Sequence, residues 1–490
     1  MALKLSSFTK PSNSFSGNVL KLMSGTVLAQ ALGILVMPVV TRLFAPEAFG
    51  ILAIFTSMTV IVGVVACLRY QLAIMLPDSH EDAANILGVS LLSVIIVTCL
   101  SALIVWLGSE KIIGLLHVPQ LKNYLWLVPV TIFFHGLFLA LNSWNSRTKH
   151  FGRLSIAQVV SSLTTQATKL AAGFSGLVSG GVLIGTSVLG SVVSTAILGG
   201  QIWRDDKKLF LNNLNWKKIR EGCVRYKKFP LIDTWGGLLN SISWQLPALM
   251  LSSFFSVSTV GFYALGLTLI QKPLSLISGA LSQVFYQKAC KEKNVKGNNG
   301  ELVENLMDKL MFIGILPTVI LSMVGEELFM VVFGERWVEA GRYTQILAPW
   351  VFFTFISSPL STLFLVYERQ GAALFVNLII FTTRIISLYI GGIYKNIYLA
   401  LGLFSGTGIA VYAFYAAWNI RLSKASGRRI FLNFLKYIIY SLPIILCLFL
   451  VKNTFQFSPI IILSTAVFAV ISYFLVFRGK CSSMISAFLK

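Results

Sequence analysis

Apolar runs of about twenty residues recur along the whole chain. They begin near Val19, Phe49, Ile86, Tyr124, Leu154, Gly181, Leu231, Val260, Leu306, Gln345, Ala372, Ile397, Lys436 and Ser458. Coiled as a helix, a run of that length matches the hydrocarbon thickness of a bilayer. No water is available at that depth, so backbone amides must be satisfied within a helix or a closed barrel. Barrel strands would show as alternating segments of roughly ten residues, whereas these runs are continuous. The expectation is an all-α polytopic membrane protein with about 14 transmembrane helices. Composition agrees: 56% of the 490 residues are apolar and only 12% are charged, too few charges to cover a soluble surface of this size.

The formal net charge of +22 would suggest nucleic acid in a soluble protein. Here it reads as orientation, with no nucleic acid partner expected. With both termini inside, the inside segments hold about 26 basic residues and the outside segments about 7. The inside residues include Lys4, Lys10, Arg147, Lys149, Arg153, the stretch Arg204–Lys228, Arg369, the run RLSKASGRR, Arg478, Lys480 and Lys490. This bias predicts an even number of spans, both termini cytoplasmic, and a place in the cytoplasmic membrane. Lys4, Lys10 and Lys21 precede an Ala29-Gln30-Ala31 triplet that resembles a cleavage site. The apolar run continues to Val40, too long for a signal peptide, so an uncleaved first span is expected. The acidic stretch Gly325–Arg342 is read as a short interfacial turn outside, with Trp337 at headgroup level. The six cysteines show no paired spacing and read as apolar fillers. No loop exceeds roughly 30 residues, so no soluble domain is expected. No glycine-rich phosphate cradle is present, which excludes ATP as a direct energy source, and no cofactor or metal is expected.

Residues Leu43–Ala53 read LFAPEAFGILA and residues Phe254–Ala264 read FFSVSTVGFYA. Phe44, Gly50 and Ala53 coincide with Phe255, Gly261 and Ala264 at an offset of 211. LWLVPVTIFF (Leu125–Phe134) and TQILAPWVFF (Thr344–Phe353) also share a proline and an aromatic pair. The order of these matches predicts two six-helix lobes in parallel pseudo-repeat, the layout of an alternating-access transporter. The expected organisation is an N-lobe at 1–203, a basic cytoplasmic linker at 204–229, a C-lobe at 230–420 and two additional helices at 421–490.

Charges inside the spans are candidate site residues. Lys272, beside Gln271 and Pro273, lies about eight residues from either end of its span, too deep for snorkelling. An ionised lysine at that depth costs roughly 3 kcal/mol, so it should face protein or water, and Pro273 frees a carbonyl that can line a cavity. Arg384 is as deep, with a structural hydrogen bond to a neighbouring helix as the equal alternative. Lys169 lies past mid-span near Ser162, Thr165 and Gln166. Arg42 and Arg69 sit near span ends, where snorkelling also explains them. Gln30, Asn240 and Gln245 are neutral polar groups in spans, and His135 is a lone histidine in an aromatic run. Asp233 opens the seventh span, where a carboxylate can serve the helix dipole or join the polar lining with Asn240, two turns on. No deep carboxylate is visible to pair with Lys169, Lys272 and Arg384. A hydrated cavity that receives an anion resolves that imbalance.

MPVVTRLFAPEAFGILA (Met37–Ala53) and CLRYQLAIMLPDSHEDAANILGVSLL (Cys67–Leu92) resemble the first-to-second helix signature, and the segment after it, of bacterial polysaccharide flippases. These belong to the multidrug/oligosaccharidyl-lipid/polysaccharide exporter superfamily. Pro38, Arg42, Pro46, Phe49 and Gly50 fall on the turn signature and Arg69 on the next segment. The resemblance implies transfer of an undecaprenyl-diphosphate-linked oligosaccharide, an O-antigen, capsule or exopolysaccharide repeat unit, to the outer leaflet. It also implies contact with membrane lipids, a polysaccharide polymerase and chain-length machinery as partners, and no enzymatic activity. Two rivals stay within the superfamily: a peptidoglycan-precursor flippase, and a cation-coupled multidrug exporter, which should carry a deep carboxylate. A membrane glycan polymerase or acyltransferase should show a large outer loop or a His/Asp constellation, and neither is seen.

Overall fold

The structure is a computed structural model that describes residues 15–454 and 458–476. Lys4, Lys10, Arg478, Lys480, Cys481 and Lys490 lie outside the described residues, as do the termini. Within them the chain is helical throughout. Its elements are α1 (Phe15–Leu43), α2 (Pro46–Gly63), α3 (Tyr70–Ala73), α4 (His80–Leu116), α5 (Leu127–Arg147), α6 (Phe151–Phe174), α7 (Gly180–Asn213), α8 (Trp216–Arg225) and α9 (Thr234–Phe254). There follow α10 (Val257–Lys296), α11 (Gly300–Phe333), α12 (Val338–Ser357), α13 (Thr362–Val366), α14 (Gln370–Ile393), α15 (Ile397–Ser423), α16 (Gly427–Phe449) and α17 (Pro459–Val476). Caps written in the sequence set several starts. The Ser79 hydroxyl accepts from Asp82 N, and the Asn396 side chain from Leu399 N at 3.0 Å.

Among the described residues eleven helices are long and apolar enough to cross a membrane by length and composition. The chain is a multi-pass membrane protein. Three further helices fall short of that test. α17 is short, whereas α6 and α9 are too polar, and these two carry Lys169, Asn240 and Gln245 among the candidate site residues.

The chain divides into two compact units, one up to Gly261 and one from Phe262 onward. In the first, α1 packs along α6, α4 and α7 along α5, and α9 along α2. Its apolar core gathers Cys67, Ile74, Leu87, Val94, Trp144, Leu154 and Ile202. The basic stretch Arg204–Lys228 is more than a linker, its first ten residues being the last turns of α7. It folds back as α8, with Ile219 against Gly88 of α4, and the buried Asn85 amide donates to Asn213 O and accepts from Asn215 N. In the second unit α11 lies against α12, α16 and α17, and α14 against α15. Phe312 stacks between Tyr437 of α16 and Tyr473 of α17, which ties the last two helices to α11. Trp337 is fully buried in the second unit, with its ring 5.9 Å from Phe262.

The paired turn segments meet in the first unit. A Cβ on Gly50 would stand 1.9 Å from the Val257 carbonyl oxygen, and one on Gly261 would stand 2.0 Å from the Pro46 carbonyl oxygen. Pro46 opens α2 and Val257 opens α10, and these two are also 211 apart. Each helix start therefore lays its glycine on the first residue of the other, a reciprocal crossing that only glycine permits.

Gly50→Ala and Gly261→Ala should each force these backbones apart and lower the melting temperature in detergent, by roughly 1–3 kcal/mol of stability. Gly185→Ala on α7, where a Cβ meets nothing within 4 Å, should leave it unchanged or raise it. Equal melting of all three proteins would show that the crossing does not need its glycines.

Candidate functional site

In the first unit the candidate residues fall at three places. α1 and α6 are zipped by small polar groups. Thr26 donates to Gln158 Oε1 at 2.8 Å, Ser162 donates to Ala29 O at 2.8 Å, and Gly33 lies beside the Gln166 amide. That seam carries Gln30 and Lys169, both half-buried. The Gln30 Oε1 is buried without a hydrogen-bond partner among the described residues.

The turn signature forms the second place. Pro38 lies inside α1, Pro46 is the first residue of α2, and Phe49 and Gly50 are buried. Arg42 is exposed in the last turn of α1, where a cation suits the helix dipole. His135 packs closely against Gly63.

The third place joins Arg69 and Asp233. Arg69 Nε donates to Asp233 Oδ2 at 2.7 Å. Asp233 thus makes no capping hydrogen bond to α9; its carboxylate is taken by a guanidinium. Both ends of this pair rest on irregular backbone. Leu68 and Arg69 sit in succession in the left-handed region, with φ of 47° and 64°, a conformation that costs a side chain roughly 1–3 kcal/mol. Asp233 ends a π-helical turn, Phe229–Asp233, with Pro230 as its second residue. Gly237, one turn on, leaves room for the guanidinium at 3.4 Å. Asn240, on the same face, is exposed. Gln245 faces α2, where its Oε1 accepts from Ser57 at 3.1 Å.

In the second unit Lys272 and Arg384 differ sharply. Lys272 is exposed on α10 and has no ion-pair partner among the described residues; Gln271 beside it is half-buried. Pro273 cannot donate to the Leu269 carbonyl, which loosens the helix there. Arg384 is 5% exposed. Its guanidinium lies 5.7 Å from the Trp350 ring and 5.8 Å from Phe404, and it hydrogen-bonds Tyr412. Gly408 admits Trp350 to this box. The aromatic faces and the phenol replace water around the cation, so Arg384 is enclosed in helix packing.

Sequence reasoning missed Asp308 of α11 and read Glu327 as part of an outside turn, whereas α11 runs on to Phe333. Asp308 accepts from Tyr437 at 2.6 Å, and Glu327 pairs with Lys452 at 2.8 Å. The signal was available in acidic residues within a long apolar helix, but their partners lie more than 120 residues further along.

The profile of the family described as polysaccharide biosynthesis protein matches residues 39–342. The chain belongs to that family. Searches of curated sequences return no match. Among solved structures it is similar to the lipid II flippase MurJ in an inward closed conformation, at a TM-score of 0.72 and 13% identity, covering 94% of this chain and 99% of that one. It is also similar to an inward-facing multidrug resistance MATE family transporter of the MOP superfamily, at 0.57 and 14%, covering 82% and 94%. A MOP superfamily transporter from Pyrococcus furiosus gives 0.54 and 14%, covering 84% and 96%. These likenesses establish a shared fold.

Arg69 and Asp233 are 26% and 46% exposed in their side chains, so their coupling should be modest, about 0.5–1 kcal/mol in a double-mutant cycle of Arg69→Gln and Asp233→Asn. Unfolding in mild detergent measures it, and strictly additive losses would show the pair to be energetically idle.

Proposed function

We propose that this protein moves a polyprenyl-diphosphate-linked oligosaccharide from the inner to the outer leaflet of the cytoplasmic membrane. The observation that carries this reading is a fold similar over 94% of the chain to a lipid II flippase, in a member of the polysaccharide biosynthesis family. We read the chain as fourteen spans, two six-helix sets in parallel plus α16 and α17, with both termini cytoplasmic. The reciprocal crossing of α2 and α10 at an offset of 211 supports the parallel repeat.

The barrier to unaided flipping is the charged head, since the polyprenyl tail stays in lipid throughout. A route across must replace the hydration of the diphosphate and sugars. Lys272 suits this task because it is a cation at depth that no carboxylate of the described residues neutralises. Arginine and lysine match phosphate oxygens, lysine as a compact point charge. Lys169 and Gln30 on the polar α1–α6 seam fit the same lining. Arg384 is spent on its aromatic box and Arg69 on Asp233, so we place neither in direct contact with the head. The interior-negative potential assists outward movement of an anion by about 2.3 kcal/mol per charge per 100 mV. We read the protein as a transporter without catalytic activity, acting beside a polymerase and its chain-length machinery.

Lys272→Ala should abolish surface polysaccharide at matched protein level and Lys272→Arg should keep part of it. A deletion strain should accumulate lipid-linked repeat units on the inner side, measured by extraction and mass spectrometry. Normal surface polymer with altered drug sensitivity in that strain would favour a drug exporter instead. Normal polymer in Lys272→Ala alone would remove Lys272 from the route while leaving the flippase reading in place.

A further inference from the structure

The starts of α14 and the end of α15 enclose two adjoining cavities on the second unit. One, of about 540 Å3, is lined by Glu368, Arg369, Gly371, Ala372, Trp418 and Leu422. The other, of about 560 Å3, is lined by Phe414, Ala417, Trp418, Arg421 and Leu422. They share Trp418 and Leu422 as lining, so a polar compartment and an apolar one adjoin in this depression. We propose that this depression binds an anionic phospholipid, with its phosphate between Arg369 and Arg421 and an acyl chain along Phe414, Ala417 and Leu422.

Three observations carry the assignment. First, Arg369 and Arg421 are exposed and neither has an ion-pair partner among the described residues. Arg369 lines the polar compartment and Arg421 the adjoining one, and a guanidinium presents the forked donors that a phosphate oxygen pair fits. Second, Trp418 lines both compartments and is held by its neighbours, its ring 5.9 Å from Phe364 and 5.6 Å from Phe414. An indole held beside cations, with one end apolar and one polar, is the side chain found at the headgroup level of membranes. Third, the outer surface of α14 beyond this end is apolar and exposed at Leu374, Phe375 and Leu378, a face suited to lipid chains. The charge bias assigns this end to the inside, where anionic lipids add about 1 kcal/mol per nearby cation.

Glu368 faces the polar compartment too, held at a left-handed φ of 55°. Its carboxylate can accept from glycerol hydroxyls of a headgroup, and it disfavours a second negative charge at the site. A singly charged phosphodiester therefore fits better than a diphosphate.

The test uses the full chain, extracted with mixed phosphatidylglycerol and phosphatidylcholine and examined by native mass spectrometry. Wild type should retain phosphatidylglycerol preferentially, and Arg369→Gln/Arg421→Gln should lower that preference about ten-fold. Gly371→Leu, where a Cβ meets nothing within 4 Å, should fill the polar compartment and lower retention with both arginines intact. Phosphatidylglycerol should raise the melting temperature of delipidated protein, and inorganic phosphate should not. Equal retention of the two lipids by wild type, or unchanged retention in both variants, overturns the proposal. Stabilisation by inorganic phosphate alone as large as by phosphatidylglycerol would make this a free-anion site and overturn the lipid assignment.

Discussion

A peptide amide in hydrocarbon has no water to bind, and the architecture of this chain answers that deficit. Helices satisfy the amides internally, which leaves side chains to decide how helices meet. In lipid there is little hydrophobic drive between apolar helices, so close packing and polar contacts carry association. The structure shows both. Glycines bring backbones together at Gly50 against Val257 and Gly261 against Pro46. Hydroxyls and amides bridge α1 to α6 through Thr26 and Ser162, and α2 to α9 through Ser57 and Ser241.

The helices that look least like spans are then the informative ones. α6 and α9 carry too many polar residues to pass a test of apolarity, because their polar groups bond neighbouring helices. A helix that is polar for packing is also a helix that can face water. Lys169 and Asn240 ride on these two elements, one half-buried and one exposed. Sequence apolarity counts such a segment as weak, while its partners explain why it belongs in the bundle.

Much of the fold could be read from residue order because the signals are local. Twenty-residue runs mark helices, Ser79 and Asn396 mark starts, and the Pro46 turn marks a sharp reversal. The Gly50 and Gly261 match was legible as a repeat, although its physical meaning, a reciprocal backbone crossing, needed coordinates. What stayed hidden was pairing at a distance. Arg69 and Asp233 are 164 residues apart, and nothing near either names the other. Arg384 was equally open between a cavity and a packed role, since its box is assembled from Trp350, Phe404 and Tyr412 on two other helices. Asp308 escaped notice and Glu327 was read only as part of an outside turn, because their partners come from α16 and the turn after it.

These pairings change how the intramembrane cations should be weighed. A buried charge is tolerated when its surroundings replace water, by an opposite charge as at Arg69 or by aromatic faces and a phenol as at Arg384. Such residues already offset their own desolvation, and a passing anion would have to break those contacts to use them. Lys272 has no such compensation among the described residues. Its placement next to Pro273, where the helix lacks one backbone hydrogen bond, adds a second local deficit at the same level. Packing alone gives no reason for two unfavourable features to coincide on one turn of α10. On the proposed function, a hydrated route with an anionic occupant would relieve both, because water would reach the free carbonyl and the occupant would neutralise the amine.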